Sequence, residues 1–249
     1  KSLAYQLAQR GENLLLIARR EERLKSISED IQNKFNVKVL YFVADLTTQE
    51  APNSIYQFCK EHDLDVSTLV LNAGYQINTR LHEASIEEEE ACLRVLGLSV
   101  IMQTKLHLTD FVKRGGGKIM VVSSIAAFAP TSKEFAVLYG PVKTFMNRFS
   151  ETLNYNYNSI GITSTALCPG YTVTNFHTAS GVQDEMDSVP EFLKKSAKRI
   201  AFEGVEAMIK GKKVIVPTKT WKLIVFILKI VPNWLFSLLS GILAPGRYK

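Results

Sequence analysis

The sequence YGPVK, residues 139–143, opens a run, TFMNRFSETLNYNYNSI, whose apolar residues recur at helical spacing. Tyr139 and Lys143 lie one turn apart, so a helix that includes both would present a phenol and an ammonium on one face. Pro141 is compatible with a helix start here, because a first-turn proline lacks only an N–H that would have no partner. A neighbouring cation favours the phenolate and lowers the pKa of a phenol from about 10. The stretch therefore predicts a pair that transfers a proton to or from a substrate oxygen.

Two flanking segments are predicted to place polar residues at the same edge of a sheet. Upstream, the apolar run from Ile119 to Val122 predicts a strand that delivers Ser123 and Ser124 to its end. Downstream, GITSTALCPGYTVTNF predicts a strand that ends at Cys168-Pro169-Gly170 and is followed by Thr174. Hydroxyl groups at the carboxyl ends of buried strands lie where open α/β sheets bind ligands. Three separate segments are thus expected to converge on one edge.

Length and composition limit the class of protein. The 249 residues, 46% hydrophobic and 22% charged, are enough to bury a full core in one domain. The net charge is +6, but the basic residues are scattered, which favours solvated faces and an anion site over a nucleic-acid surface. The spacing and apolar surroundings of Cys59, Cys92 and Cys168 favour reduced, buried thiols in a cytoplasmic protein. The four histidines show no metal-binding spacing, so we expect no metal site.

Strand and helix patterns alternate along the chain. The opening residues predict an uncapped helix followed at once by a buried strand, Leu14 to Ala18, which leads us to expect an earlier strand and turn before Lys1. We predict an α/β domain over residues 1–217, with a doubly wound parallel sheet and helices on both faces, and an apolar helical tail over residues 218–249. Further predicted elements are an amphipathic helix at 21–36, a strand ending at Asp45, a helix around Ala51 to Glu61, a strand ending at Asn72, and one extended helix from Ile86 to Val112.

The tail is the most apolar part of the sequence. Lys229, Pro232 and Asn233 interrupt it before the roughly 20 apolar residues that a membrane span needs, so two shorter helices are expected. Two roles stay open at this point. The tail covers a substrate cleft or a subunit interface, or it lies in a membrane surface with its flanking lysines and tryptophans. Either role indicates a hydrophobic substrate, and apolar residues of the preceding loop agree: Tyr171, Phe176 and Met186.

Four motifs in order resemble the short-chain dehydrogenase/reductase family over nearly the whole chain. They are LNAG at Leu71 to Gly74, SS at 123–124, YGPVK at 139–143, and PGYTVT at Pro169 to Thr174. Their order and spacing make the match specific. The resemblance implies a Rossmann-like domain that transfers hydride between a nicotinamide and a carbonyl or alcohol carbon. It also implies assembly into a homodimer or homotetramer through the two long helices.

The same resemblance implies a role for each matching residue. Tyr139 is implied to be the general acid in reduction, and Lys143 to lower the pKa of Tyr139 and hold the nicotinamide ribose. Ser124 is implied to donate to the substrate oxygen, with Ser123 as the alternative because the loop up to Tyr139 is about two residues longer than the family pattern. The cofactor-binding residues implied are Asp45 at the adenine, Asn72, Ala73 and Gly74 along the adenosine-to-ribose stretch, and Pro169, Gly170 and Thr174 at the nicotinamide amide.

The choice of cofactor follows from two arginines. Where NAD-specific relatives place an acid after the second strand, this chain has Arg19 and Arg20. A guanidinium pairs well with a 2′-phosphate and has no partner beside a plain hydroxyl. The sequence therefore favours NADPH/NADP over NAD. In the alternative interpretation, one arginine caps the following helix and only the other faces the ligand.

Two departures from the family pattern bear on catalysis. The glycine-rich turn TGxxxGxG is expected before Lys1 and is not in the sequence, so these residues do not supply its amides to a pyrophosphate. Leu96 stands where the family usually has an asparagine that anchors a water in the proton relay. We predict an NADPH-dependent reductase of hydrophobic ketones, cytoplasmic and in one alternative associated with a membrane. The competing predictions are a nucleotide-binding sensor or scaffold with weak catalysis, and a membrane-surface anchoring protein.

Overall fold

The computed structural model describes residues 1–77, 79–131, 136–174, 189–232 and 235. Strands and helices alternate along it, as the sequence predicts. The strands are β1 (Leu14–Ala18), β2 (Val39–Val43), β3 (Thr68–Leu71), β4 (Gly117–Val122), β5 (Ile162–Leu167), β6 (Thr172–Val173), β7 (Lys195–Ser196) and β8 (Val214–Ile215). The helices are α1 (Ser2–Ala8), α2 (Glu21–Phe35), α3 (Ala51–Glu61), α4 (Ile86–Leu93), α5 (Ser99–Arg114), α6 (Tyr139–Tyr157), α7 (Ala197–Ile209) and α8 (Lys219–Ile230).

Every strand pair in the described residues is parallel. β1 pairs with β2, and a second sheet has the order β3-β4-β5-β8, while β6 and β7 form a short ladder of their own. Parallel neighbours need a crossover that passes over one face of the sheet, and helices supply those crossovers here. The predicted α/β class with a parallel sheet is confirmed.

Strand β4 shows why the sheet is covered on both faces. Ile119 and Val121 belong to a core cluster with side chains of α4, α5 and α6, whereas Met120 belongs to a cluster with side chains of α1 and α7. Successive residues of a strand point to opposite faces, so each face of β4 has its own helical layer. All three residues are at most 1% exposed, so the centre of the strand is apolar on both faces. The doubly wound arrangement follows from this pattern.

Strands β1 and β3 lie on either side of a large cavity. The two strands are not hydrogen-bonded to each other in the described residues, and side chains of both line a cavity of about 3290 Å³. We call it the central cavity. Ligand pockets commonly measure about 300–1,000 Å³, so this volume is not that of a ligand site alone: it includes the apolar gap between β1 and β3, which is lined by Leu15, Ile17 and Val70. The carboxyl ends of β1, β3, β4 and β5 all open into it.

The predicted extended helix from Ile86 to Val112 is continuous but not uniform. It begins with a capping box formed by Ser85 and Glu88 and ends at Gly115, whose φ of 73° is left-handed. Between α4 and α5, residues Arg94–Leu98 form one wide π-helical turn. Such a turn inserts one residue into the helix and is frequently found at functional sites. The sequence gives no local signal for it.

The apolar tail is described only in part. Its first predicted helix is α8, in which Trp221 and Val225 are buried against the rest of the chain. Within the described ranges, no helix combines the length and the hydropathy that crossing a bilayer requires. The second predicted helix of the tail, Phe176, Met186 and His177 lie outside the described residues. The three cysteines are free and buried, as predicted.

Candidate active site

Helix α6 brings the predicted proton-transfer pair together. The helix begins at Tyr139, and the Nζ atom of Lys143 lies 5.5 Å from the centre of the Tyr139 ring. Both residues line the central cavity. The juxtaposition follows from helical geometry, because residues four apart occupy neighbouring positions on one face. A phenol and a basic group therefore share the wall of a cavity large enough for a ligand.

Lys143 is held as a buried amine. Its side chain is 5% exposed, and Nζ donates a hydrogen bond of 3.0 Å to the carbonyl oxygen of Val122 at the end of β4. Burial lowers the pKa of Lys143 from 10.5 to about 8, and the neighbouring Cys168 and Cys92 partly oppose this shift. The residue is thus mainly an ammonium at neutral pH and becomes neutral above about pH 8.

The two serines after β4 have different environments. Ser123 is 3% exposed, and its hydroxyl donates to the main-chain carbonyl of Lys143 at 3.0 Å. Ser124 is half-buried, and its oxygen accepts from the amide of Ala126 at 3.1 Å. A hydroxyl that accepts one bond still has its own proton to donate. Ser123 therefore ties β4 to α6, and the arrangement favours Ser124 as the hydroxyl that faces a ligand.

The segment after β3 passes close to Lys143. A Cβ atom on Gly74 would lie 2.8 Å from Cδ2 of Leu96 and 3.9 Å from Nζ of Lys143, so a side chain larger than glycine does not fit. Asn72 and Ala73 are exposed along the same segment and also line the central cavity. Glycine here lets the main chain approach both α6 and a ligand closely.

Leu96 fills the space beside Lys143 with apolar atoms. It lies in the wide turn between α4 and α5, is 2% exposed, and belongs to the same core cluster as Val142 and Met146. A leucine offers neither a donor nor an acceptor to a water. Leu96 therefore cannot anchor a water here as an asparagine could, which is the departure from the family pattern noted in the sequence.

The two arginines follow β1 at the far end of the central cavity. Arg19 is 68% exposed, and its Nη1 lies 3.8 Å from Oδ2 of Asp45. Burial opposes ionisation of Asp45, but hydrogen bonds from Thr47 and the charge of Arg19 outweigh it and hold the pKa of Asp45 below its ordinary value. Arg20 occupies the residue before α2 and makes no side-chain capping bond. Neither guanidinium therefore caps α2 with a side-chain hydrogen bond.

Trp221 of α8 is a site residue that the sequence did not indicate. A side chain on Gly170 would overlap its indole ring, and its Nε1 donates to the carbonyl oxygen of Leu193 at 3.0 Å. The Tyr171 and Trp221 rings lie 5.7 Å apart. Ile224 of α8 also lines the central cavity. The tail helix therefore forms an apolar wall of the site, and a glycine at 170 was the one local signal of its close packing.

Every predicted site residue lines the central cavity, and these residues come from six separate segments of the chain. Two cationic side chains, Arg19 and Arg20, lie at one end of the cavity. The segment 72–74 runs along its length and permits close approach. The phenol, amine and hydroxyl of the proposed proton transfer lie at the other end. This set fits an extended, anionic dinucleotide with a substrate beside it. The described residues contain no cluster of His, Cys, Asp or Glu that could hold a metal ion. The predicted residues that line the cavity are Arg19, Arg20, Asp45, Asn72, Ala73, Gly74, Ser124, Tyr139, Lys143, Pro169, Gly170 and Thr174.

Comparison with known proteins gives consistent matches. A family model for the short chain dehydrogenases matches residues 1–185. The chain is 26% identical over 242 residues to the very-long-chain 3-oxoacyl-CoA reductase of Bos taurus, covering 95% of this chain and 73% of that protein. It is 31% identical over 187 residues to the inactive hydroxysteroid dehydrogenase-like protein 1 of Homo sapiens, covering 72% of this chain and 54% of that protein.

Among solved structures, the short-chain dehydrogenase from Sphingobium yanoikuyae in complex with NADPH aligns with a TM-score of 0.82 and 22% identity, over 98% of this chain and 90% of that one. The alignment confirms the Rossmann-like fold. The family model spans most of the sequence, including the motifs at 71–74, 123–124, 139–143 and 169–174. Members of this family are NAD(P)-dependent oxidoreductases. The chain belongs to the short-chain dehydrogenase family.

Proposed function

We propose that the protein is an NADPH-dependent reductase that interconverts a hydrophobic carbonyl compound and its alcohol. The observation that carries this proposal is the position of Tyr139 and Lys143. They occupy one turn at the start of α6 and line the same cavity as Ser124. A phenol, an amine and a hydroxyl on the wall of one cavity are the groups needed to transfer a proton to a carbonyl oxygen.

Residues along the central cavity would hold the cofactor. Asp45 is proposed to bind the adenine, and the segment 72–74 to pack along the adenosine. Lys143 is proposed to bind the nicotinamide ribose, because its Nζ has three donors and gives one of them to Val122. Pro169, Gly170 and Thr174 complete the nicotinamide end in the proposal. When bound, the nicotinamide supplies or accepts the hydride.

Side chains of the protein are proposed to transfer the proton. Tyr139 donates its phenolic proton to the substrate oxygen during reduction and takes it back during oxidation. The Lys143 ammonium lies at the face of the ring and stabilises the phenolate that Tyr139 becomes. Ser124 donates to the same substrate oxygen and so fixes its position. General acid catalysis of this kind contributes roughly 10²–10⁴-fold to a rate.

A preference for NADPH is supported by the exposed guanidinium of Arg19. Its ion pair with Asp45, at 3.8 Å, is long and open to solvent, so a phosphate can compete for the guanidinium. Arg20 adds a second cation at the same end of the cavity. A bidentate pair between arginine and phosphate is charge-assisted and would be lost with NAD, which has a hydroxyl at that position.

A hydrophobic substrate is supported by the wall that α8 builds. Trp221 and Tyr171 pack together at the nicotinamide end, and Ile224 and Leu228 line the cavity beside them. An apolar wall of this kind binds an alkyl or ring system through buried area. The similarity to the bovine very-long-chain 3-oxoacyl-CoA reductase agrees with a ketone on a long acyl chain.

The direct test follows the oxidation of NADPH and of NADH by absorbance with ketones of increasing apolar length. We expect turnover with NADPH, slower turnover with NADH, and a kcat/KM that rises with the apolar length of the ketone. Turnover with NADH alone would contradict the proposed role of Arg19 and Arg20. A kcat/KM that falls with apolar length would contradict the proposed substrate class.

A second candidate function is a nucleotide-binding sensor or scaffold with weak catalysis. Two observations favour it: Leu96 offers no polar group where the family pattern has an asparagine, and the chain is similar to an inactive hydroxysteroid dehydrogenase-like protein. Calorimetry separates the candidates. Tight binding of NADPH without oxidation by any ketone of the panel would select the sensor.

The remaining partner predictions stay proposals. We propose a cytoplasmic protein, with domains at 1–217 and 218–249, that forms a homodimer or homotetramer through α4, α5 and α6. Exposed apolar residues on these helices support assembly: Leu93, Leu98, Met102, Val112 and Phe145. Sedimentation velocity tests the assembly, and a monomer at micromolar concentration would contradict it. A contact between the tail and a membrane surface is proposed as well.

A further inference from the structure

Helix α8 is apolar on two opposite faces. Its inner face buries Trp221 and Val225, which are 3% and 4% exposed. On the opposite side a second set of apolar residues faces outward, with exposures between 44% and 63%. Their spacing of three and four residues places them on one stripe. We call this set the outer stripe; it consists of Leu223, Phe226, Ile227 and Ile230, of which Ile227 lies at the edge of the stripe and also lines the central cavity.

The outer stripe lies beside exposed cations and has no acidic neighbour on its own helix. Lys222 and Lys229 fall on one flank of the stripe, and Lys219 lies at its N-terminal end; all three are exposed. No acidic residue follows Glu206, whereas residues 207–249 contain eight lysine and arginine residues. Because the whole chain has a net charge of +6 and this segment contributes +8, the net positive charge of the protein comes entirely from this segment.

We propose that the outer stripe of α8 docks on the surface of a bilayer that contains anionic lipids. An apolar stripe flanked by lysines is the pattern of a helix that lies in the plane of a membrane surface. The 12 residues of α8 span only about 18 Å, which is too short to cross a hydrocarbon core of about 30 Å. The helix therefore lies along the surface.

The charge around the outer stripe favours a membrane over a second copy of the chain as its partner. Two copies joined through the outer stripe would bring Lys219, Lys222 and Lys229 of each against the same cations of the other. Like charges facing each other in a contact are unfavourable. Anionic headgroups supply the opposite charge, and the acyl boundary accepts the apolar side chains.

Docking would place the site next to the lipid. Ile224 and Leu228 line the central cavity from the same helix whose opposite face carries Leu223 and Ile230. The Lys229 ammonium lies 4.8 Å from the ring of Phe128, in the turn that follows Ser124, and this contact fixes α8 against the site. If the proposed reductase function holds, only α8 separates a ketone dissolved in the bilayer from the site. Membrane docking itself does not depend on that function.

The test is flotation of the full chain with two kinds of vesicle, phosphatidylcholine alone and phosphatidylcholine mixed with phosphatidylglycerol. It is carried out without cofactor or substrate, so its outcome is independent of reductase activity. We expect flotation with the mixed vesicles and about tenfold weaker binding to the neutral ones. The double variant Leu223→Glu/Ile230→Glu should lose binding to the mixed vesicles by about tenfold or more.

A matched control carries the same change of charge elsewhere. Ile86→Glu/Ile209→Glu alters two exposed isoleucines outside α8 and should float like the wild type. Because Leu223 and Ile230 are more than 60% exposed, their replacement removes little buried surface, and circular dichroism would check that the variants fold. The second variant, Lys222→Gln/Lys229→Gln, should weaken binding to the mixed vesicles and leave binding to the neutral vesicles unchanged.

Three results would overturn the proposal. If the wild-type protein floats with neither kind of vesicle, it does not dock on a bilayer surface. Equal flotation of the wild type and Leu223→Glu/Ile230→Glu would assign binding to another part of the chain. A wild-type dimer that becomes a monomer in this variant, without vesicle binding, would assign the outer stripe to a second copy.

Discussion

The start of α6 and the outer stripe of α8 differ in which kind of side chain is placed unfavourably: a charged group is buried at α6, and apolar groups are exposed to solvent at α8. At α6, Lys143 carries an ammonium into the interior, where it is 5% exposed. At α8, Phe226 and Ile230 leave 61% and 63% of their surface in contact with solvent. A buried charge and an exposed apolar stripe both cost free energy in a water-soluble fold. The comparison indicates that both regions are adapted to a bound partner: a cofactor and substrate at α6, and a lipid surface at α8.

The largest effect is expected for Lys143→Met. It should lower kcat for ketone reduction by about 10²–10⁴-fold, because the phenolate of Tyr139 loses its cation. The thermal unfolding midpoint should not fall, because burial of the ammonium opposes folding while the folded pKa is about 8 and the unfolded value is 10.5. Steady-state kinetics and calorimetry measure the two effects. A large fall in the midpoint would instead make Lys143 a structural residue.

The pH dependence of reduction tests the same region in the wild-type protein. Because the pKa of Lys143 is about 8, its positive charge is lost as the pH rises through that value. We expect the rate of reduction to fall above pH 8, approaching tenfold per pH unit. Stability should change in the opposite direction. The unfolded lysine binds its proton up to about pH 10.5, so the free energy of unfolding should gain a positive contribution between pH 8 and 10.5. A flat rate profile up to pH 10 would contradict the assignment.

Gly170→Ala tests how α8 is attached to the site. The added methyl group overlaps the ring of Trp221, so either the strand end or α8 must move. Overpacking of this kind costs about 1–3 kcal/mol of unfolding free energy. We expect a lower denaturation midpoint and a raised KM for apolar ketones. Gly97→Ala serves as the control, because a Cβ there meets no atom within 4 Å. Equal stability of the two variants would show that Trp221 does not pack as described.

The smallest effect is expected for Leu223→Glu/Ile230→Glu with a water-soluble ketone. Both side chains lie on the outer face of α8, away from the central cavity, so kcat and KM should stay close to those of the wild type. Kinetics measured without vesicles give the result. A strong fall in kcat would show that the outer stripe and the inner wall are not independent faces.

The two regions also differ in how far the sequence predicts them. The start of α6 is a local feature: Tyr139 and Lys143 are four positions apart, and Pro141 is compatible with the helix start. The wall at α8 depends on contact between Gly170 and Trp221, which no local periodicity encodes. The sequence did predict that the tail is apolar. It could not predict which of its faces would be buried.

Local sequence patterns also could not predict two details of the candidate site. The wide turn at Arg94–Leu98 has no recognised sequence signal, although the helix around it was predicted. The hydrogen bond from Lys143 to Val122 joins residues 21 positions apart and is set by the packing of α6 on β4. Spacing predicted the residue types of the site, and tertiary packing determined their environments.

The most direct measurement of the central claim compares kcat for ketone reduction by the wild type, Tyr139→Phe and Tyr155→Phe. Tyr155 lies on the same helix and is 70% exposed, so its variant controls for removal of a phenolic hydroxyl from α6. We expect a loss of about 10²–10⁴-fold for Tyr139→Phe, with the affinity for NADPH retained, and no loss for Tyr155→Phe. Equal kcat values for all three proteins would contradict the assignment of Tyr139 as the proton donor.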